Sequence, residues 1–410
     1  MSRFDTVYRT HLAKIAQRQE LRSLRPVVPA ASGHLWRDGR LMLNFSSNDS
    51  LGLSQHPALI LRACAWTEHY GVGAGASRLV TGCLDRHVAV ESRVAALKGT
   101  EAALLFASGW QANAALLSAL LDRTVLGAEP LVFADRLIHA SLYQGCQAAG
   151  VAPIRFRHND LEHLETLLRR HAHKPGRRFI VSESVFSMDG DRADVAGLAA
   201  VAERWDAFFY LDEAHATGVL GPGGMGLSGE APGRVDLVMG TFSKALGCFG
   251  AYAALSARLR DYLVNTCSGF IYTTALPPPV LGAMDAALEL LPALEQERMA
   301  LMRQASRVRS AWRSVGLNTG ASSTHIIPLQ VGAAETALAF SARLEAAGIL
   351  GVAIRPPTVP PGTSRLRFSL SAAHQPDAID RLIQAVNLLA PALREAAQEN
   401  GAGEAGEVEK

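Results

Sequence analysis

The stretch AFFYLDEAHATGVLGPGGMGLSGEAPGRVDLVMGTFSKALGCFGAYAALS, residues 207–256, decides the fold. Three apolar runs within it, AFFYLD, DLVMG and GAYAALS, read as buried strands, because each is short, apolar throughout and bounded by turn residues. The first two end in polar groups: Asp212, Glu213 and His215 after one, Thr241, Ser243 and Lys244 after the other. In parallel α/β sheets ligands bind at the carboxyl ends of strands, so these residues carry the functional information. Lys244 follows Asp212 by 32 residues. One helix and one strand fill that length, which places the two groups on neighbouring or nearby strand ends.

Outward from this stretch the same alternation continues. AALLF, PLVFA, APIRF and RFIVSE are further candidate strands, separated by helical patterns such as WQANAALLSALL, ASLYQGCQAAG, DLEHLETLLRRHA and DVAGLAAVAERW. The expectation is an α/β fold with a mostly parallel seven-stranded sheet and helices on both faces. After Pro277-Pro278-Pro279 the pattern changes to a long helical region, then THIIPLQV, a helix, ILGVAIR, SRLRFSLS and a closing helix from Asp377. The expected organisation is an N-terminal helix and extended arm over 1–50, a large domain over 51–284, a small α+β domain over 285–395 and a disordered acidic tail over 396–410.

Composition narrows the class. A hydrophobic fraction of 49% with 19% charged residues describes a globular chain with a core. Forty Lys+Arg against thirty-eight Asp+Glu leave +2. The basic residues are scattered, which argues against nucleic acid or an anionic membrane as partner. Five cysteines without a C-x-x-C suit reduced thiols and offer no metal-site spacing. The opening stretch lacks an apolar signal region and no run approaches the roughly 18 apolar residues of a membrane span, so the expected location is the cytoplasm.

Lysine is scarce, with Lys14, Lys98, Lys174, Lys244 and Lys410 the full set. Four lie in settings that read as solvated, and only Lys244 is in an apolar, glycine-flanked one. Burial lowers a lysine pKa and favours a nucleophilic amine that forms a Schiff base. Asp212, directly after a buried run, needs a partner, since an unpaired buried carboxylate costs several kcal/mol; an Asp capping the following turn gives the same spacing. After AALLF, Ala-Ser-Gly-Trp opens a helix, so the amides of Gly109 and Trp110 form an anion site; a glycine required by a tight turn reads the same way. An aldehyde-trapping lysine, an acid for a pyridine nitrogen and phosphate donors at Gly109, Trp110 and Thr241 together point to pyridoxal phosphate (PLP).

The strings NDSLGLS, SRLVTG, SGWQAN, DRLIHAS, RHND, VFSMDGD, DEAHATGVLG, TFSKALG, IYTTALPP and IRPPTVPPGTSRLR carry a resemblance over nearly the whole chain, from about Leu21 to Leu389. The sequence resembles the α-oxoamine synthases, fold-type I PLP-dependent transferases. The last string marks the branch that condenses L-alanine with a pimeloyl thioester. The resemblance implies Lys244 as the Schiff-base lysine, Asp212 as the pyridinium partner, and His215 as donor to the phenolic oxygen of the cofactor. It further implies His139 over the pyridine face and against substrate, Ser187 as a cofactor contact, and Gly109, Trp110 and Thr241 at the phosphate. Arg22 and Thr358 match substrate contacts, and Arg367 matches the group receiving the amino-acid carboxylate, a role suited to a planar fork. A homodimer with shared active sites is implied too, Thr273 crossing to the neighbouring cofactor phosphate, with coenzyme A or acyl-carrier protein as thiol carrier and no metal.

The chain departs from the family at Ser50, where Tyr is expected, and at Cys248-Phe249, where smaller residues are usual. DEAH followed by Ala-Thr-Gly resembles a helicase box, yet no Gly-Lys pair exists to form the phosphate loop such an enzyme needs. GVGAGA at 71–76 follows a helical pattern and not a strand, so it is no dinucleotide fingerprint. Sister synthases that use glycine, and a PLP-binding protein without activity, remain as alternatives.

Overall fold

The computed structural model describes residues 4–404, with side chains to 395. Strands β1 (Val28–Pro29), β2 (His34–Arg37) and β3 (Arg40–Asn44) come first. Next are β4 (Ala102–Phe106), β5 (Leu131–Asp135), β6 (Ile154–Phe156), β7 (Arg178–Glu183), β8 (Ala207–Asp212), β9 (Leu237–Thr241) and β10 (Ala251–Leu255). The chain closes with β11 (Ile326–Gly332), β12 (Ile349–Leu350), β13 (Val352–Ile354) and β14 (Ser364–Ser369).

Residues 48–187 and 191–299 form one compact unit; the described residues up to 47, those at 188–190 and those from 300 onward form a second. The division falls at 299/300 rather than after 284, because helix Pro278–Leu290 packs on helix Pro57–Tyr70 of the first unit.

The first unit is built on a seven-stranded sheet in the order β4-β10-β9-β8-β7-β5-β6. Strands β9, β8, β7, β5 and β6 run parallel, and β10 runs antiparallel to both its neighbours. Most of these strands are buried along their length, which is why they read as continuous apolar runs rather than alternating ones. One consequence fixes the site. Asp135, Glu183, Asp212 and Thr241 are the last residues of β5, β7, β8 and β9, so the sheet gathers four polar side chains along one edge. Helices Gly109–Leu120 and Ala140–Ala148 pack closely against each other, and Gly145 permits it: a Cβ there would lie 2.7 Å from the Asn113 carbonyl oxygen.

The second unit has an antiparallel sheet, β11-β14-β13, covered by helix Ala334–Ala346. A smaller sheet, β1-β2-β3-β12, joins the N-terminal segment to β12, with β12 parallel to β3. Trp312 packs on Phe368, their rings 5.0 Å apart. The closing helix runs from Pro376 to Glu404, so the tail expected to be disordered from 396 is helical to 404; Ala396, Ala397, Gln398 and Glu399 favour helix, whereas Gly401 and Gly403 do not. The rest of that expectation, 405–410, lies outside the described residues. Among the described residues no helix is long and apolar enough to cross a membrane, and no group of His, Cys, Asp and Glu is arranged to hold a metal.

Candidate active site

Asp212 anchors the site in the first unit. It is 4% exposed, and its Oδ2 accepts from the Asn113 side-chain amide at 2.7 Å while its Oδ1 accepts from the Ala214 N–H at 2.8 Å. Asn113 is itself buried and fully used: its amide also donates to Ser141 Oγ at 2.9 Å, and its carbonyl accepts from the Tyr210 hydroxyl at 2.7 Å. Burial, and after it Asp212, raise the Tyr210 phenol well above its ordinary range, so it stays a donor. The carboxylate is thus held in one orientation by a chain of satisfied polar groups, as buried polar groups require.

The same chain reaches His139. This residue caps helix Ala140–Ala148, its Nδ1 lying 3.2 Å from the Ser141 N–H and 2.7 Å from Ser141 Oγ. It therefore is the helix-start histidine that its position suggests, as well as a site candidate. Burial lowers the His139 pKa, Asp212 draws it up and Lys244 pushes it down, so both charges act on the imidazole. Trp110 meets the His139 ring edge to face at 5.9 Å.

Glu183 was not singled out from the sequence. It pairs in register with Asp212 and is 3% exposed. Burial first and the Asp212 charge second raise its carboxyl well above the usual range. An acid as the last residue of RFIVSE, one strand from Asp212, was the available signal.

Lys244 is half-buried, after β9. Thr241 Oγ1 donates to the Gly250 carbonyl at 2.9 Å and accepts from the Ser243 N–H at 3.2 Å, and the exposed Ser243 hydroxyl lies 2.7 Å from it. Gly109 and Trp110 begin helix Gly109–Leu120, with Ser108 Oγ accepting from the Gln111 N–H. A Cβ at Gly109 would meet only the Met239 side chain at 3.8 Å, so packing does not demand glycine there. Ser187 lies in the turn after β7, and His215 is buried three residues beyond Asp212. Thr273 lines a cavity with Arg78, His87 and Gln111.

The expectation that Lys98 is solvated is overturned. Its side chain is 2% exposed and pairs with the fully buried Glu213, the neighbour of Asp212. Glu213 also accepts from the Ser228 N–H at 2.6 Å, and the Lys98 ammonium donates to Ser228 Oγ at 3.0 Å. A lysine before a helix-ending glycine looks solvated in sequence, and its partner is 115 residues away.

The remaining candidates lie in the second unit. Arg22 donates to Thr358 Oγ1 at 3.3 Å, so these two are neighbours. Arg355, not singled out from the sequence, donates to the carbonyls of Gln19 and Leu21 at 2.6 and 2.8 Å and so places the segment carrying Arg22. Arg367 is in β14, 4% exposed, and burial pushes its guanidinium down to about 10. Arg365, two residues before it, pairs with Asp189.

Comparison with known proteins matches residues 40–386 to the family model described as aminotransferase class I and II. An 8-amino-7-oxononanoate synthase of Gluconacetobacter diazotrophicus is 59% identical over 403 residues, 98% of this chain and 99% of that one. A solved serine palmitoyltransferase with PLP superposes with a TM-score of 0.87 at 27% identity, covering 96% of this chain and 99% of that one. The 8-amino-7-oxononanoate synthase of Francisella tularensis gives 0.73 at 26% identity, over 86% and 98%.

Proposed function

This chain belongs to the aminotransferase class I and II family, and from that premise we propose that it is a PLP-dependent C-acyltransferase making 8-amino-7-oxononanoate from L-alanine and a pimeloyl thioester. What carries the reading is the full-length likeness to a synthase of that name. In the reaction a C–C bond forms between the alanine Cα and the acyl carbon, the C–S bond breaks to release the thiol, and the alanine carboxylate leaves as carbon dioxide.

The residues present fit PLP. Lys244 supplies an amine for the aldehyde, Asp212 a fixed carboxylate for the ring nitrogen, and the helix start at Gly109 and Trp110 is open to a phosphate. When bound, PLP takes up the electron pair left at the alanine Cα. The protein's own part is positioning and proton transfer. Lys244 Nζ removes the Cα proton, and Asn113 holds the Asp212 carboxylate in place. His139 would lie against the cofactor ring, Trp110 and Thr241 would hold its phosphate, and His215 and Ser187 would be further cofactor contacts.

Arg367 receives the alanine carboxylate, because a buried guanidinium is a strong bidentate site for it. Arg22 and Thr358 hold the acyl substrate, carried on coenzyme A or acyl-carrier protein. We place the enzyme in the cytoplasm as a homodimer in which Thr273 reaches the neighbouring active site; sedimentation of a fully active monomer would contradict this. Incubation with PLP, L-alanine and either pimeloyl-CoA or pimeloyl acyl-carrier protein, followed by mass spectrometry, tests the reading: 8-amino-7-oxononanoate is expected with at least one carrier, and its absence with both refutes it.

A further inference from the structure

The carboxyl edge of the large sheet holds a second buried polar group that the reaction does not use. His158, just past β6, stands between two carboxylates. Its Nδ1 lies 3.0 and 3.1 Å from the two oxygens of Asp135, and its Nε2 lies 2.8 Å from Asp191 Oδ2. Both acids are buried, Asp135 completely. Asn159, held at φ +52°, completes the enclosure: its backbone N–H donates to Asp135 at 2.8 Å and its side-chain amide to Asp191 at 2.7 Å. Phe186 meets the imidazole edge to face at 4.3 Å. Each ring nitrogen faces a carboxylate. A neutral imidazole has only one N–H, so this geometry calls for the doubly protonated ring.

Each of the two acids also sits in a segment that presents a site residue, Asp135 bonding it through its carboxylate and Asp191 through its backbone carbonyl. Asp135 accepts from the Leu137 N–H at 2.8 Å, two residues before His139. Asp191 closes the turn after β7, its carbonyl accepting from the Phe186 N–H at 3.1 Å, and that turn carries Ser187. We propose that His158 is a positioning residue, the shared cation that clamps the segment leading to His139 to the turn bearing Ser187. The clamp stands on this geometry; its consequence for PLP rests on the proposed function.

Burial pushes the His158 imidazole down, but its bonds with Asp135 and Asp191 outweigh burial and carry it up to about 9. Of the other charged groups nearby, Arg157 pairs with Asp160, Arg192 pairs with Glu230, and burial with the Asp212 charge raises the Glu183 carboxyl at the end of β7. The clamp is therefore closed at neutral pH and opens as pH rises through about 9.

Two measurements on the full chain test this. Histidine ring-nitrogen NMR of the unsubstituted protein should show both His158 nitrogens protonated near neutral pH, with the proton lost near 9. Trypsin cleavage after Arg192, followed by mass spectrometry, should accelerate about tenfold or more in His158→Gln, as expected when a local closing interaction is lost. His158→Gln/Asp191→Asn, which removes one of the two facing charges, should regain most of the protection. A His158 resonance titrating near the ordinary value of about 6.5, or a single variant as protected as the parent, overturns the proposal. Should His158→Gln fail to fold, the titration of the parent decides. Faster cleavage with unchanged PLP affinity supports the clamp and instead removes Ser187 from the proposed cofactor site.

Discussion

Replacing Asn113 with alanine removes the group on which the orientation of Asp212 depends. Three hydrogen bonds go at once: one to the Asp212 carboxylate at 2.7 Å, one to Ser141 at 2.9 Å and one from Tyr210 at 2.7 Å. A bond to a charged acceptor contributes about 1.5–3 kcal/mol and each neutral one about 1 kcal/mol, so the loss is on the order of 3–5 kcal/mol. All four residues are buried, so water does not easily take the place of the amide. Because each kcal/mol moves the midpoint of a domain of this size by about 2–4 °C, calorimetry should register a fall of roughly 6–20 °C in the transition of the first unit. Asn113→Asp sharpens the test. It puts a second carboxyl where the amide stood, and two carboxylates that close cannot both ionise. Its deficit should therefore deepen as pH rises above the carboxylate range, whereas that of Asn113→Ala should not. The PLP absorbance band should shift in both variants. A change of less than about 2 °C for the alanine variant, with the band unmoved, would refute the view that Asn113 holds Asp212.

Further outcomes follow from other residues. Lys244→Ala should lose turnover and the visible PLP band, and borohydride reduction of the parent should place the phosphopyridoxyl group on Lys244; another labelled lysine, Lys98 included, ends that assignment. Glu183 has a pKa raised by burial and by Asp212. Its contribution to stability is thus full below the unfolded carboxyl value and falls as pH rises toward the folded one. Glu183→Gln, neutral at every pH, should gain on the parent as pH rises above the ordinary carboxyl range, by at most about 1.4 kcal/mol per pH unit and only up to the raised folded value, and parallel pH–stability curves would contradict this. Arg367→Ala should weaken alanine binding by on the order of 2–5 kcal/mol, seen as a raised KM; an unchanged KM removes Arg367 from the site.

The strands of the large sheet were legible because strands buried along most of their length leave unbroken apolar runs, and AALLF, RFIVSE and AFFYLD became β4, β7 and β8 as read. Strand-end chemistry was legible for the same reason: Asp212 and Thr241 stand where the runs stop. The supporting groups were not. Asn113 and Ser141 are ordinary polar residues in two helices, and only the close approach at Gly145 joins them to Asp212 and His139. Lys98 and Glu213, like His158 with Asp135 and Asp191, meet through tertiary contacts of 23 to 115 residues in sequence. Local periodicity contains no trace of such pairings. The end of the last helix was missed because acidic and small residues suggested a tail, while Ala396, Ala397, Gln398 and Glu399 carry the helix on past the expected end.

The central claim is the substrate pair, and thiol release tests it most directly. With PLP bound, the enzyme is offered L-alanine with a pimeloyl thioester, and separately glycine with succinyl-CoA or acetyl-CoA, and free thiol is followed with time. The account predicts fast release with the alanine pair alone, and a preference for alanine over glycine on the pimeloyl thioester of about ten- to two-hundredfold, the span that one methyl group in an apolar pocket supplies. Faster release with either glycine pair would contradict it and make the enzyme a sister synthase, and no release with any pair would leave a PLP-binding protein without this chemistry.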